Sequence, residues 1–298
     1  MKRKEGEPML MYLNSEYVEE GRAAISPLSP GFFDGFGVYE TVKVYSGRVI
    51  FIEEHFRRFQ AALDIFGLAP DLGTEGIAVI CERLVAANGI TTGYVKFSCS
   101  KSAAGGDDLI VFTGSKHYEG RYEKGFSLCL ADAVRDEKAM LTGIKSLNHA
   151  ENRLQLHKAE SAGYGEALFL NTAGMVSEGS RSNIFWIKDA SVFTPSAECG
   201  LLPGIVRHKT IDICREAGIR VCTGTYGPDA VRDADEVFLT SSLMGIMPVN
   251  AFGSKRYGGP GWGMTGDLMR HYDKSMLLYS KKQGSDRERR SSKMEGSR

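Results

Sequence analysis

The chain has 298 residues, with 37 Lys+Arg against 37 Asp+Glu and a formal net charge of zero. That length is enough for one large or two medium domains with substantial cores, and the balanced charge gives no reason to expect nucleic acid or a membrane as partner. Lys2-Arg3-Lys4 is basic, but the apolar stretch after it, Met9-Leu10-Met11-Tyr12-Leu13, stops at Asn14. It is too short for a signal-peptide core or a membrane span, so a cytoplasmic location is expected.

Alternating apolar residues from Val38 to Val44, a Ser46-Gly47 turn and Val49-Ile50-Phe51 predict a hairpin. A helix is expected over Glu53–Phe66, where Phe56, Phe59, Ala62, Leu63 and Phe66 recur at helical spacing, and a second over Thr74–Ala87, stopped by Asn88-Gly89. Strands follow near Tyr94–Ser100 and Leu109–Thr113. The polar run Gly114–Lys124 is the linker candidate. A second α+β unit begins at Phe126, with helices over Ser146–Ala162, Ile205–Ala217 and Trp262–Tyr279. Its strands are read at Ala167–Asn171, Asn183–Lys188, Ile219–Thr223 and Glu236–Thr240. The expected division is therefore a small N-terminal domain over 1–124 that includes the linker, a second domain over 125–279, and a tail over 280–298. The tail is so polar that it is expected to be disordered.

Cys81, Cys99, Cys129, Cys199, Cys214 and Cys222 are scattered, with no Cys-x-x-Cys pair and no histidines at metal-ligand spacing. They read as reduced residues, with no disulfide framework and no metal site. Gly35-Phe36-Gly37 precedes a strand pattern rather than a helix, so a dinucleotide loop is not expected there.

The chemistry centres on Lys145, in Ile144-Lys145-Ser146-Leu147-Asn148, and on Glu178, in Val176-Ser177-Glu178-Gly179-Ser180-Arg181-Ser182-Asn183. A lysine among small and apolar residues loses its proton cheaply, and the neutral amine can form a Schiff base with an aldehyde. A carboxylate can hold a pyridine nitrogen protonated, which makes the ring an electron sink. Gly200-Leu201-Leu202-Pro203-Gly204-Ile205-Val206-Arg207 opens a helix, and the free amides of a helix N-terminus bind anions. Together these residues suggest an enzyme that uses pyridoxal 5'-phosphate.

With Gly35-Phe36-Gly37-Val38-Tyr39-Glu40-Thr41, Glu54-His55-Phe56-Arg57-Arg58 and Asp235-Glu236-Val237-Phe238-Leu239-Thr240-Ser241-Ser242, these motifs in this order resemble the class IV aminotransferases, over roughly Met11–Tyr279. These are the fold-type-IV pyridoxal phosphate enzymes, which include branched-chain aminotransferases, D-amino acid aminotransferases and aminodeoxychorismate lyases. The resemblance implies an α+β fold of two domains with the cofactor between them, and a homodimer whose sites draw on both subunits. It makes Lys145 the catalytic residue. It assigns the ring nitrogen to Glu178 and the phosphate to Arg58, Ser242 and the amides of Ile205 and Val206. Leu202 would pack on the ring and Asn183 would hydrogen-bond in the site. The family commonly has threonine where Val206 stands, so one hydroxyl contact is missing. Tyr39, Lys96, Lys101 and Leu243 are the residues implied for substrate. Plainer alternatives stand beside these: a core tyrosine at Tyr39, and core packing at Leu202.

Within the family, the Arg-x-His carboxylate trap of D-amino acid aminotransferases is absent around Lys101-Ser102-Ala103. Ser241-Ser242-Leu243-Met244-Gly245 replaces the Gly-Thr-Ala-Ala turn of branched-chain enzymes and is more similar to the lyases, as is Asn183-Ile184-Phe185-Trp186. The expected function is amino transfer between an amino acid, branched-chain or similar, and a 2-oxo acid. The alternatives are a 4-amino-4-deoxychorismate lyase releasing pyruvate and 4-aminobenzoate, and a catalytically silent cofactor-binding protein.

Overall fold

The structure, a computed structural model, describes residues 8–72, 76–118, 120–258 and 260–295. The chain forms two compact units, Met1–His117 with Asp273–Arg298, and Tyr118–Tyr272.

In the first unit, β1 (Leu10–Leu13) and β2 (Glu16–Glu19) lead through α1 (Pro30–Phe33) to β3 (Gly37–Tyr45) and β4 (Arg48–Val49). Then come α2 (Ile52–Phe66), α3 (Gly76–Ala87), β5 (Thr92–Lys101) and β6 (Asp107–Gly114). The strands make one antiparallel sheet in the order β2-β1-β6-β5-β3-β4. Along β3 Val38, Glu40, Val42 and Val44 are buried after Gly37, the two-residue period that puts alternate side chains on one face. α2 buries Ile52, His55, Phe59, Ala62 and Leu63, the three- and four-residue spacing of a helix stripe, with Phe59 edge-on to Phe97 of β5. One polar residue from each element, Glu40 and His55, thus stands at a core position.

The second unit runs through α4 (Arg121–Lys124), β7 (Phe126–Arg135), α5 (Ala150–Ser161), β8 (Glu166–Asn171), β9 (Val176–Gly179), β10 (Asn183–Lys188) and β11 (Ser191–Pro195). It continues with α6 (Ile205–Glu216), β12 (Val221–Gly224), α7 (Pro228–Arg232), β13 (Glu236–Ser241), β14 (Gly245–Phe252), β15 (Lys255–Arg256) and the start of α8 (Gly263–Glu295). Its sheet is mixed, in the order β12-β11-β10-β13-β14-β7-β8-β9, with β15 added to β14. The pairs β11–β12, β14–β7 and β7–β8 are parallel. β8, β10 and β13 are almost continuously buried, so their sequences lack alternation. Leu128, Leu168, Ile184, Trp186, Leu239 and Met247 fill the core.

Several boundaries differ from those expected. The expected linker is anchored at described positions: Tyr118 is buried in the second unit's core, Tyr122 donates to the Met244 carbonyl, and α4 closes the run. Aromatic anchors outweigh the polar composition there, and the units part between His117 and Tyr118 rather than after 124. The helix expected from Ser146 begins at Ala150, because Ser146 forms an isolated bridge and the backbone stays irregular through His149. Lys145 therefore lies on a loop. α8 continues to Glu295 through most of the tail expected to be disordered, while 296–298 lie outside the described residues. Leu268, Tyr272 and Met276 anchor its first turns by burial, and Lys, Arg and Glu beyond them are good helix formers. No described helix is long and apolar enough to cross a membrane.

Candidate active site

In the second unit, β9, β10 and the loop entering α6 converge on one carboxylate. Glu178 Oε2 accepts a 2.9 Å hydrogen bond from the Leu202 amide. Asn183 Nδ2 donates to the Leu202 carbonyl at 2.8 Å and lies 3.5 Å from the same Glu178 oxygen. Gly204 completes this knot, because a Cβ there would fall 2.0 Å from Asn183 Oδ1. The next residue starts α6. Gly204 is its N-cap and makes no side-chain cap, so the first amides, Ile205 and Val206 among them, have no intrahelical carbonyl to bond.

Burial pushes the Glu178 carboxyl up to about 7, against the charges of Arg135 and Lys145 and the Leu202 hydrogen bond, which favour the anion. Its Oε1 receives no hydrogen bond among the described residues, with Arg135 Nη2 standing 3.8 Å away. Thr240 pairs directly with Asn183 across β13 and β10, so both side chains share a face, and the buried Thr240 hydroxyl has no hydrogen-bond partner among the described residues. Ser242 and Leu243 lie on the turn after β13, with Leu243 packed on the core's margin.

The remaining candidates lie in the first unit. Arg58 donates from Nε and Nη2 to the two oxygens of Glu40, at 2.7 and 2.9 Å, and His55 Nδ1 lies 2.7 Å from Glu40 Oε2. Burial alone would raise Glu40, but the Arg58 and His55 charges outweigh it and hold the carboxyl at about 2. Lys96 Nζ lies 4.9 Å from the centre of the Tyr39 ring, since Tyr39 and Lys96 come from the paired strands β3 and β5. Lys101 is instead ion-paired with Asp107 across the β5–β6 hairpin, 3.1 Å apart.

Pyridoxal phosphate needs an amine, an anion site and a carboxylate for its ring nitrogen. The second unit supplies each kind: Lys145, the uncapped amides of α6, and Glu178 with one oxygen short of a donor. The orphaned Thr240 hydroxyl adds a polar group on the Asn183 face. The donor set fits the cofactor.

Four contributors had no role assigned from the sequence: Glu40, Arg135, Glu166 and Thr240. Glu40 was legible, because a carboxylate at the core parity of Val38, Val42 and Val44 must have buried partners. Arg135 and Glu166 carried no such signal. Glu166 is fully buried and accepts from the Ser180 and Ser182 hydroxyls and the Ser180 amide, which fixes the segment between Glu178 and Asn183.

The family model described as amino-transferase class IV matches residues 37–252. An aminodeoxychorismate lyase of Bacillus subtilis is 27% identical over 284 residues, 90% of this chain and 94% of that protein. A D-alanine aminotransferase of Listeria monocytogenes is 30% identical over 251 residues, 81% of this chain and 86% of its own length. The branched-chain aminotransferase of Thermoproteus uzoniensis, solved with norvaline, superposes with a TM-score of 0.84 at 25% identity, covering 93% of this chain and 97% of that one. That of Escherichia coli does so with the same score at 23% identity, covering 91% and 95%. With its two α+β units, its mixed sheet and this match over most of its length, the chain belongs to the class IV aminotransferases, the fold-type-IV family of pyridoxal phosphate enzymes.

Proposed function

We propose that this chain is an aminotransferase that uses pyridoxal phosphate to move an amino group between an aliphatic, branched-chain-like amino acid and a 2-oxo acid. The observation that carries the reading is Glu178, a carboxylate fixed by the Leu202 amide and within the field of Lys145, beside the uncapped start of α6. When bound, the cofactor supplies an aldehyde that takes up amines and a ring that withdraws electrons. Lys145 Nζ holds the cofactor between turnovers and carries a proton to and from the substrate's α-carbon. Glu178 keeps a negative charge at the ring nitrogen. In the second unit Ile205 and Val206 would donate amides to the phosphate at the positive end of α6, Ser242 would add a hydroxyl and Leu202 would pack on the ring. By the family resemblance Arg58 would add a charge-assisted bond to the phosphate, and Tyr39, Lys96 and Leu243 would serve the substrate. Lys101 already has Asp107 as its carboxylate partner, which weighs against a trap built on it for a D-amino acid.

The second reading is a 4-amino-4-deoxychorismate lyase. It is supported by the Bacillus subtilis relative and by Lys96 beside Tyr39, a cation where a second substrate carboxylate would need one. Half-reaction spectra separate the two. Amino transfer requires that leucine, valine or glutamate convert the bound cofactor to its amine form and that a 2-oxo acid reverse the change. Pyruvate and 4-aminobenzoate released from aminodeoxychorismate without any amino acceptor, with none of these amino acids reacting, would overturn the first reading.

We infer a cytoplasmic homodimer as the working form. Leu28, just before α1, and Phe32 and Phe33 within it are 80, 63 and 79% exposed, and large apolar side chains left this open support an interface. Light scattering on Phe33→Asp should report weakened self-association.

A further inference from the structure

The geometry points to Arg135 as a positioning residue that favours the charged form of Glu178 against its burial while leaving Glu178 Oε1 open to accept a hydrogen bond. This inference rests on the reading of Glu178 as the partner of the ring nitrogen.

Arg135 is the last residue of β7, and its guanidinium is fixed on three sides. Nη2 donates to Asn152 Oδ1 of α5 at 3.0 Å, the plane lies over the Phe169 ring of β8 with its carbon 4.3 Å from the centroid, and Nη1 stands 3.6 Å from the exposed Glu151 carboxylate. Gly200, at φ +84°, lets the chain press on the stem from the fourth side. A Cβ there would sit 3.1 Å from Arg135 Cγ and 2.8 Å from the Glu137 backbone. Asn152 donates in turn to the Ser180 carbonyl at 2.9 Å, so the same amide ties the guanidinium to the segment that follows Glu178.

What this clamp delivers is charge without a hydrogen bond. Arg135 Nη2 lies 3.8 Å from Glu178 Oε1, close enough for strong attraction in a largely buried setting and too far to take up the oxygen's lone pairs. Glu178 Oε1 thus keeps its accepting capacity for the ring nitrogen, while Oε2 is committed to the Leu202 amide. The other charges bearing on Glu178 are Lys145 on the loop before α5, which favours the anion, and Glu166 of β8, which opposes it. Of the two cations, Lys145 is the one whose amine must become neutral to react, so Arg135 is the permanent one. Arg135 Nε has no hydrogen-bond partner among the described residues, so the guanidinium is fixed in place without complete hydrogen bonding.

The test is the titration of Glu178 itself, in cofactor-free protein labelled with 13C-glutamate, the resonance being assigned by its loss in Glu178→Gln. Arg135→Gln keeps an amide donor toward Asn152 but removes the charge, and should raise the midpoint by about 1 unit or more. Arg135→Lys should bring it back toward the wild-type value. In the holoenzyme, Arg135→Gln should lower kcat with KM little changed and shift the pH profile of the cofactor's visible absorption upward. A Glu178 midpoint unmoved in folded Arg135→Gln would overturn the proposal, and so would a loss of stability that is equal at every pH and leaves the midpoint in place. Should Arg135→Gln fail to fold, Asn152→Ala, which frees the guanidinium, carries the same expectation and the same refutation. The carboxyl titration needs no turnover, so wild-type activity in Glu178→Gln would refute the ring-nitrogen role while leaving the electrostatic link to be judged by the midpoint alone.

Discussion

Arg58 grips Glu40 through two hydrogen bonds at a β3 position where the residues of equal parity, Val38, Val42 and Val44, are core. A carboxylate 1% exposed survives there because Arg58 and His55 both face it. Glu40→Ala should therefore be destabilising by about 2–4 kcal/mol, since it removes the buried acceptor of both Arg58 hydrogen bonds and leaves a cavity in the core. The sign with pH follows from a folded value of about 2 against 4.5 for the free side chain. The contribution is fully present above 4.5 and is lost as pH falls through 2, so wild-type urea midpoints should drop across that window and those of Glu40→Gln should drop less. Parallel curves would show that the pair contributes nothing.

Lys145→Ala should fold with nearly wild-type stability, because the lysine sits on the loop before α5 and is not a core residue. Turnover should fall by several orders of magnitude, roughly 10³-fold or more, with both the amine and the proton carrier gone. Borohydride reduction of the wild-type holoenzyme followed by peptide mapping should place the cofactor on this residue. An adduct on another lysine would remove the basis of the proposed mechanism.

The parts of the proposed site that are carried by contiguous motifs are legible in the sequence: Lys145, the Glu178–Asn183 run, and the helix opened by Gly204. Their chemistry is local, and a helix start declares itself in sequence. Arg135 and Asn152 were not readable, since their relation to Glu178 exists only once β7, α5 and β9 are brought together. The strands fared similarly. β10 was read at its true limits from a short apolar run between polar ends, whereas β14 was not read at all, because Pro248 interrupts it and burial on both faces removes alternation. The fold accommodates that proline by starting the β14–β7 ladder at Val249, one residue beyond the missing N–H. Lys101 shows the converse: its position suggested a substrate contact, and the hairpin register gave it Asp107.

Gly204→Ala tests the knot around Asn183. The backbone at Gly204, φ −66° and ψ 138°, is open to any residue, so the only obstacle is the methyl group meeting Asn183 Oδ1. Relief requires Asn183 to turn, which breaks its 2.8 Å bond to the Leu202 carbonyl and loosens the loop that presents both the Leu202 amide and the α6 N-terminus. Cofactor affinity, followed by quenching of tryptophan fluorescence, should fall by about tenfold, the equivalent of one lost hydrogen bond of about 1–1.5 kcal/mol. An unchanged dissociation constant would mean that Asn183 does not organise the phosphate end.

The cofactor-free protein should lose stability as pH rises, and Glu178 is the reason. Burial holds its carboxyl at about 7 in the folded chain against 4.5 in the unfolded one, so between these values the folded state binds the extra proton. Stability from this group is complete below 4.5 and is lost as pH climbs through 7, by of order 3 kcal/mol for a shift of this size. Glu178→Gln cannot ionise and still offers an oxygen to the Leu202 amide, so its unfolding midpoint should stay flat across the window and exceed that of wild type at pH 8. Added pyridoxal phosphate should reverse the order, because a protonated ring nitrogen stabilises the anion in wild type and meets only a neutral amide in the variant. Unfolding curves for the two proteins, with and without cofactor, measure both halves of the argument. If wild type and Glu178→Gln lose stability in parallel, the proton is held by some other group, and the carboxylate's preparation for a cationic partner has no support.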